Sequence, residues 1–111
     1  MAKAKEDWIR VDRAFLLLDL TRAEKISFFT LISFIGWENN IIEKTITVLA
    51  EHSKQDTDTM SKSISSLISK GVLKKEPINK IRYKIHINPE YVWCGDRGER
   101  NRAIKAYDNI L

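Results

Sequence analysis

Between residues 56 and 71 the apolar positions Met60, Ile64, Leu67 and Ile68 recur at i, i+4, i+7 and i+8, the stripe of an amphipathic helix. Its other side is polar, with Thr57, Asp58, Ser61, Lys62 and Ser65. Asp56 stands where an N-cap is needed and Gly71 where such a helix stops. A shorter helix is predicted over residues 45–52, opened by Thr45 or Thr47, with Val48 and Leu49 turned inward. The turn Ser53-Lys54-Gln55 separates the two. After Gly71 the period falls to two. Val72-Leu73-Lys74-Lys75 reads as one strand, and Ile81, Tyr83, Ile85 and Ile87 alternate with Arg82, Lys84, His86 and Asn88 in a second. Residues 76–80 form the turn between them, and Asn88-Pro89 ends the second strand, because proline cannot continue a ladder.

Outside this central block the pattern is less uniform. Residues 1–7 are polar and expected to be disordered, and Trp8-Ile9-Arg10-Val11 alternates as a short strand. Residues 13–20 are open between strand and helical turn, since short apolar runs do not declare their period. Thr21-x-x-Glu24 is a capping box, and the helix it opens is predicted to run to about Ile35, with Gly36 at its end. Apolar residues surround that helix on most sides, so it is either deeply buried or shared with another subunit. Residues 37–44 read as a polar loop in which Ile41-Ile42 adds a short strand. Asp96-x-x-Glu99 caps a last helix over residues 97–110. Its inner stripe is Ala103, Ile104, Tyr107 and Leu111, and Arg97, Arg100, Arg102 and Lys105 lie outside.

Two helices joined by a tight turn and followed by a basic hairpin are the one-dimensional form of a winged helix-turn-helix. The predicted fold is therefore α+β, mainly α: a winged helix-turn-helix with flanking N- and C-terminal elements. At 111 residues it forms a single domain.

Charge sharpens this picture. Residues 1–56 carry 8 Lys/Arg against 9 Asp/Glu, whereas residues 57–111 carry 11 against 6. The stretch from Lys62 to Lys84 has seven basic residues and Glu76 as its one acid. Such clustering attracts phosphates even when the overall net charge is only +4. The candidate DNA-binding set is Thr57, Asp58, Ser61, Lys62 and Ser65 on the helix, with Lys74, Lys75, Lys80, Arg82 and Lys84 on the hairpin. The helix face has no Arg, Asn or Gln, so base readout would rest on hydroxyl hydrogen bonds and thymine-methyl contacts.

Catalysis finds little support. His52 and His86 are the two histidines, which leaves no HExxH and no His-x-His pair, and Gly95-Asp96-Arg97-Gly98 lacks the makings of a phosphate loop. No catalytic residue, cofactor or metal site is expected. Cys94 is the sole cysteine and excludes an intrachain disulfide; a reducing cytoplasm suits it, and no stretch is long and apolar enough for a membrane span. An RNA-binding role would want surface aromatics for unpaired bases, and a protein-binding module on the same scaffold would not need the hairpin lysines.

The order of signals resembles a known family. Leu49-Ala50 precedes the turn, then come Thr-x-Ser61-Lys62-x-Ile64, Leu67-x-x-x-Gly71-Val72-Leu73-x-Lys75, and Tyr83-Lys84-Ile85-x-Ile87-Asn88-Pro89 with Gly95 six residues on. Over roughly residues 20–105 this is similar to the winged-helix plasmid replication initiators of the RepL type. The resemblance implies sequence-specific binding to origin DNA, control of the protein's own promoter, host replication proteins as further partners, and no nicking activity. The alternative is a small transcriptional repressor or copy-number regulator, which would share every one of the sequence features above. In either role a homodimer through the first and last helices would read two half-sites of a double-stranded target.

Overall fold

The computed structural model describes residues 9–80 and 82–110. The predictions for residues 1–7 and for Trp8, Ile81 and Leu111 lie outside that range. Strand β1 (Arg10–Val11) leads into a one-turn helix, α1 (Arg13–Leu16), capped by the Asp12 carboxylate on the Ala14 amide. Helix α2 (Arg22–Ile32) opens with the full capping box: the Glu24 amide donates to Thr21 Oγ1, and the Thr21 amide donates back to Glu24 Oε1. It ends three residues before the predicted Ile35. There Ser33, Phe34 and Ile35 donate to carbonyls three residues back, tightening the chain out of the α-helix.

The next pair is the predicted one. Helix α3 (Ile46–Ser53) is capped by Thr45, and α4 (Thr57–Ser69) by Asp56. The turn between them is closed by Lys54 in the left-handed region at φ 58°, with the Gln55 amide donating to Ala50 O and the Lys54 amide to Glu51 O. The same two-bond closure recurs after α4. Gly71, at φ 79°, donates to Ile68 O and Val72 to Leu67 O, while the Leu67 and Val72 side chains are fully buried.

The hairpin strands are β3 (Leu73–Pro77) and β4 (Tyr83–Ile87), antiparallel with Leu73 opposite Ile87 and Pro77 opposite Tyr83. Strand β2 (Ile41–Ile42) pairs on the other side of β4, giving the order β2-β4-β3. The pattern beyond Asn88-Pro89 gave no sign of β5 (Val92–Trp93), which pairs with β1 to tie both ends of the chain together. Helix α5 (Arg97–Asp108) closes the fold.

One core joins these elements: Phe28 and Leu31 of α2, Leu49 of α3, Met60, Ile64 and Leu67 of α4, and Leu73, Ile85 and Ile87 of the sheet. Phe15 stacks on Phe28 at 4.1 Å between ring centroids and seats α1 on α2. The predicted burial of α2 on most sides holds for Phe28 and Leu31 but not for Phe29, which is 59% exposed.

A polar cluster sets the angle between α2 and α4. Glu24 is buried, and its carboxylate accepts from Ser66 Oγ and, at 2.8 Å, from Lys70 Nζ, on the α4 segment and its C-cap. Burial works to raise the carboxyl's pKa, but the hydrogen bonds from Lys70, Ser66 and Thr21 outweigh it and bring it to about 2, below its ordinary 4.5. Lys70→Met leaves that carboxylate buried without its counter-charge and should cost on the order of 3 kcal/mol in urea unfolding, with Glu24→Gln/Lys70→Met losing less than Lys70→Met alone. The folded-state pKa lies below the unfolded one, so the stabilisation by Glu24 is complete above about pH 4.5 and is lost as pH falls toward 2. Glu24→Gln should flatten the stability–pH curve in that window.

Candidate nucleic-acid interface

Helix α4 buries Met60, Ser63, Ile64 and Leu67, and this fixes which residues face outward. Thr57, Asp58, Ser61, Lys62 and Ser65 are all exposed, as their spacing requires. Asp58 and Lys62 lie 4.0 Å apart one turn along, both more than four-fifths exposed, so their attraction is weak and Lys62 remains available to an anion. The Thr59 amide donates to Asp56 at 2.7 Å, a bond that fixes the start of the helix and holds the Asp56 carboxyl below its ordinary pKa.

The turn preceding α4 is anchored to α2. Gln55 Nε2 donates to Ser27 Oγ at 2.9 Å and to Ser53 Oγ at 3.2 Å. With the Glu24–Ser66–Lys70 cluster at the far end, α4 is held to α2 at both ends and presents a fixed polar face.

The hairpin divides the predicted cations between two sides, because side chains alternate along each strand. Lys75 shares a side with Tyr83, and its ammonium sits 4.8 Å from the centre of that ring. Lys80 and Arg82 are exposed at the turn, where the Arg82 amide donates to Asn79 Oδ1. Lys84 is half-buried on the other side, opposite Glu76.

Lys74 must be removed from the candidate set. Its Nζ donates to Tyr107 O and Ile110 O, both at 2.9 Å, and lies 4.7 Å from the Tyr107 ring centre. The ammonium thus satisfies carbonyls at the end of α5, where a helix dipole favours positive charge. The basic run in the sequence could not reveal this, because the partner lies 33 residues away.

The last helix also departs from expectation. Asp96 makes no side-chain capping bond, and Glu99 pairs with Arg102 instead of reaching back. Arg100, predicted to lie outside, is half-buried and donates to Pro89 O, Glu90 O and the Asp12 carboxylate. Tyr107 is buried within the chain, so that member of the predicted dimer stripe is occupied internally, whereas Ala103 and Ile104 are half-buried.

Two residues outside the predicted set lie beside the hairpin. Lys44 and Thr45, at the start of α3, line a groove of about 380 Å³ with Arg82 and Tyr83 of the hairpin. A cation immediately before a helix cap was the one sequence signal for them. Among the described residues no cluster of His, Cys, Asp or Glu is arranged to hold a metal ion, and no helix is long and apolar enough to cross a membrane.

Neither the family models nor the curated proteins provide a match to this chain. Among solved structures, a MarR-family transcriptional regulator from Silicibacter pomeroyi superposes with a TM-score of 0.53 at 15% identity, covering 87% of this chain. The fold is a winged helix-turn-helix. The chain matches only 60% of that regulator's length, so the likeness concerns the winged-helix framework. In that framework β3 and β4 are the wing and α4 is the second helix of the helix-turn-helix.

Because Lys74 serves the end of α5, Lys74→Met should destabilise the protein by about 1–2 kcal/mol in urea unfolding, through two carbonyls left without a donor. An unchanged midpoint would show that the contact contributes nothing.

Proposed function

We propose that the chain binds double-stranded DNA sequence-specifically, as a small winged-helix transcriptional regulator. The observation that carries this is the exposed Thr57, Asp58, Ser61, Lys62 and Ser65 face on a doubly anchored α4, beside a wing with Lys75, Lys80 and Arg82 exposed. The MarR-family neighbour supports the regulator role over replication initiation. The proposal assigns the protein no catalytic step. Origin binding of the RepL kind would use the same surface. However, the Asn88-Pro89 element behind that resemblance has a local structural reason, since Asn88 Nδ2 donates to Gly71 O and Asn88 Oδ1 accepts the Glu90 amide. Selection of bound duplexes from a random library tests the proposal directly. Enrichment of a defined site is expected, and a library that stays random would overturn it.

Phosphate contacts carry a salt signature. Lys80→Ala and Arg82→Ala should each shallow the slope of log affinity against log salt by about 0.9, while Lys74→Met leaves it unchanged. Ser61→Ala should cost on the order of 1 kcal/mol on the selected site and less on random DNA, as for a single hydrogen bond that reads a base.

A homodimer completes the proposal, formed through α1 and α2 with less from α5 than its sequence implies. Leu16, Leu17 and Phe29 are 71%, 80% and 59% exposed at the two helices joined by the Phe15–Phe28 stack. Light scattering should give a dimer for the wild type and a folded monomer for Leu17→Glu/Phe29→Glu. A wild type that stays monomeric on its selected site would exclude it.

A further inference from the structure

We propose that the groove between the first turn of α2 and the neighbouring side of α4 is a binding site for a phosphate group. In the role proposed above, which this inference rests on only for its source, that group is a backbone phosphate of the bound duplex. The groove has a volume of about 300 Å³, with Thr21, Ala23 and Glu24 on one side and Lys62, Ser63 and Ser66 on the other.

Ser63 is the residue that points to a ligand. It is 4% exposed, and its hydroxyl makes no hydrogen bond among the described residues. Asn40 Oδ1 and the Tyr107 hydroxyl are also without partners, but they are sealed from solvent, whereas the Ser63 hydroxyl still reaches it beside the groove that Ser63 lines. Buried polar groups are nearly always satisfied, so an open hydroxyl in a groove marks a place for an incoming acceptor.

The other donors around the groove agree. The capping box spends the Thr21 and Glu24 amides on each other's side chains. The Arg22 and Ala23 amides remain, because first-turn N–H groups have no carbonyl within their own helix to reach. Ala23 lines the groove, so the positive end of α2 borders the same space as Ser63. Lys62 adds an ammonium held only weakly by Asp58 at 4.0 Å. The acceptors, by contrast, are spent. Glu24 is the one acid in the wall; its oxygens take the Thr21 amide, Ser66 and Lys70, and Lys70 at 2.8 Å offsets its charge. A groove with open donors and occupied acceptors receives an oxyanion and offers a cation nothing. Phosphate suits it, since helix N-terminal amides, a hydroxyl and an ammonium can each take one of its oxygens. Lys62 also belongs to the exposed face of α4, which places the site next to the surface proposed to bind DNA.

Amide NMR of the full chain, titrated with inorganic phosphate against chloride at equal ionic strength, should show saturable shifts at Arg22, Ala23 and Ser63. Ser63→Ala should weaken phosphate about fivefold, the share of one hydrogen bond. It should not lower the melting temperature, because the hydroxyl has no partner within the fold to lose. Lys62→Met should weaken phosphate as well. Duplex titrations identify the source. For a backbone phosphate, Ser63→Ala should lower affinity by the same factor on selected and random duplexes and leave the salt slope unchanged. A neutral methylphosphonate at one backbone position should then cost the wild type more than it costs Ser63→Ala. Weakened phosphate with unaltered duplex affinity would make free phosphate the ligand of the site. Phosphate shifts confined to other residues, or phosphate affinity unchanged in Ser63→Ala, would overturn the proposal. The phosphate titration involves no DNA. A chain that binds phosphate here but no duplex would keep the site and remove the function proposed above, and site-selective DNA binding without phosphate shifts at Ala23 would do the reverse.

Discussion

Glu24 serves two helices with one carboxylate, and the presentation of α4 depends on it. One oxygen completes the capping box of α2 and accepts Lys70, and the other accepts Ser66. Lys70 also donates to Asp19 O, so the loop before α2 joins the same network. Hydrophobic burial brings α2 and α4 together but is tolerant of small rotations, because apolar contact has no preferred direction. Hydrogen bonds do have one. The cluster therefore converts packed helices into helices with a defined rotation, and that rotation decides which side chains of α4 look outward.

The opposite end of the molecule uses the same means to control the wing. Asn40 bridges β4 and β5, Arg100 gathers Pro89 O, Glu90 O and Asp12, and Lys74 ties β3 to the end of α5. A side chain at Gly95, where φ is 147°, would run into Glu38, so the entry to α5 and the 36–39 turn are fitted against each other. A two-stranded hairpin alone is marginal. Here β2 on one edge and α5 across one side hold it in a single position.

Local chemistry made much of this legible in the sequence. The caps at Thr21, Thr45 and Asp56, the stop at Gly71 and the two-residue period of β4 each act over a few residues, and each appears in the structure. The exposed face of α4 followed from the spacing of Met60, Ile64 and Leu67. What could not be read was long-range. The partners of Lys74 and Arg100, the link from Glu24 to α4 and the β1–β5 pairing all join residues far apart in the chain, and no periodicity records them. Charge counting was least reliable for the same reason: a lysine on a helix-end carbonyl and a lysine in water look alike in one dimension.

Alternation along the hairpin has a consequence for how the molecule approaches a long polymer. Of the seven cations between Lys62 and Lys84, Lys70 and Lys74 are committed to internal acceptors. Each cation committed in this way is one fewer to displace condensed counterions, so the grip on arbitrary sequence is lighter than the basic run alone implies. In the role proposed here such a protein leaves wrong sites quickly, and its residence at the right one rests on the fit of α4 more than on charge.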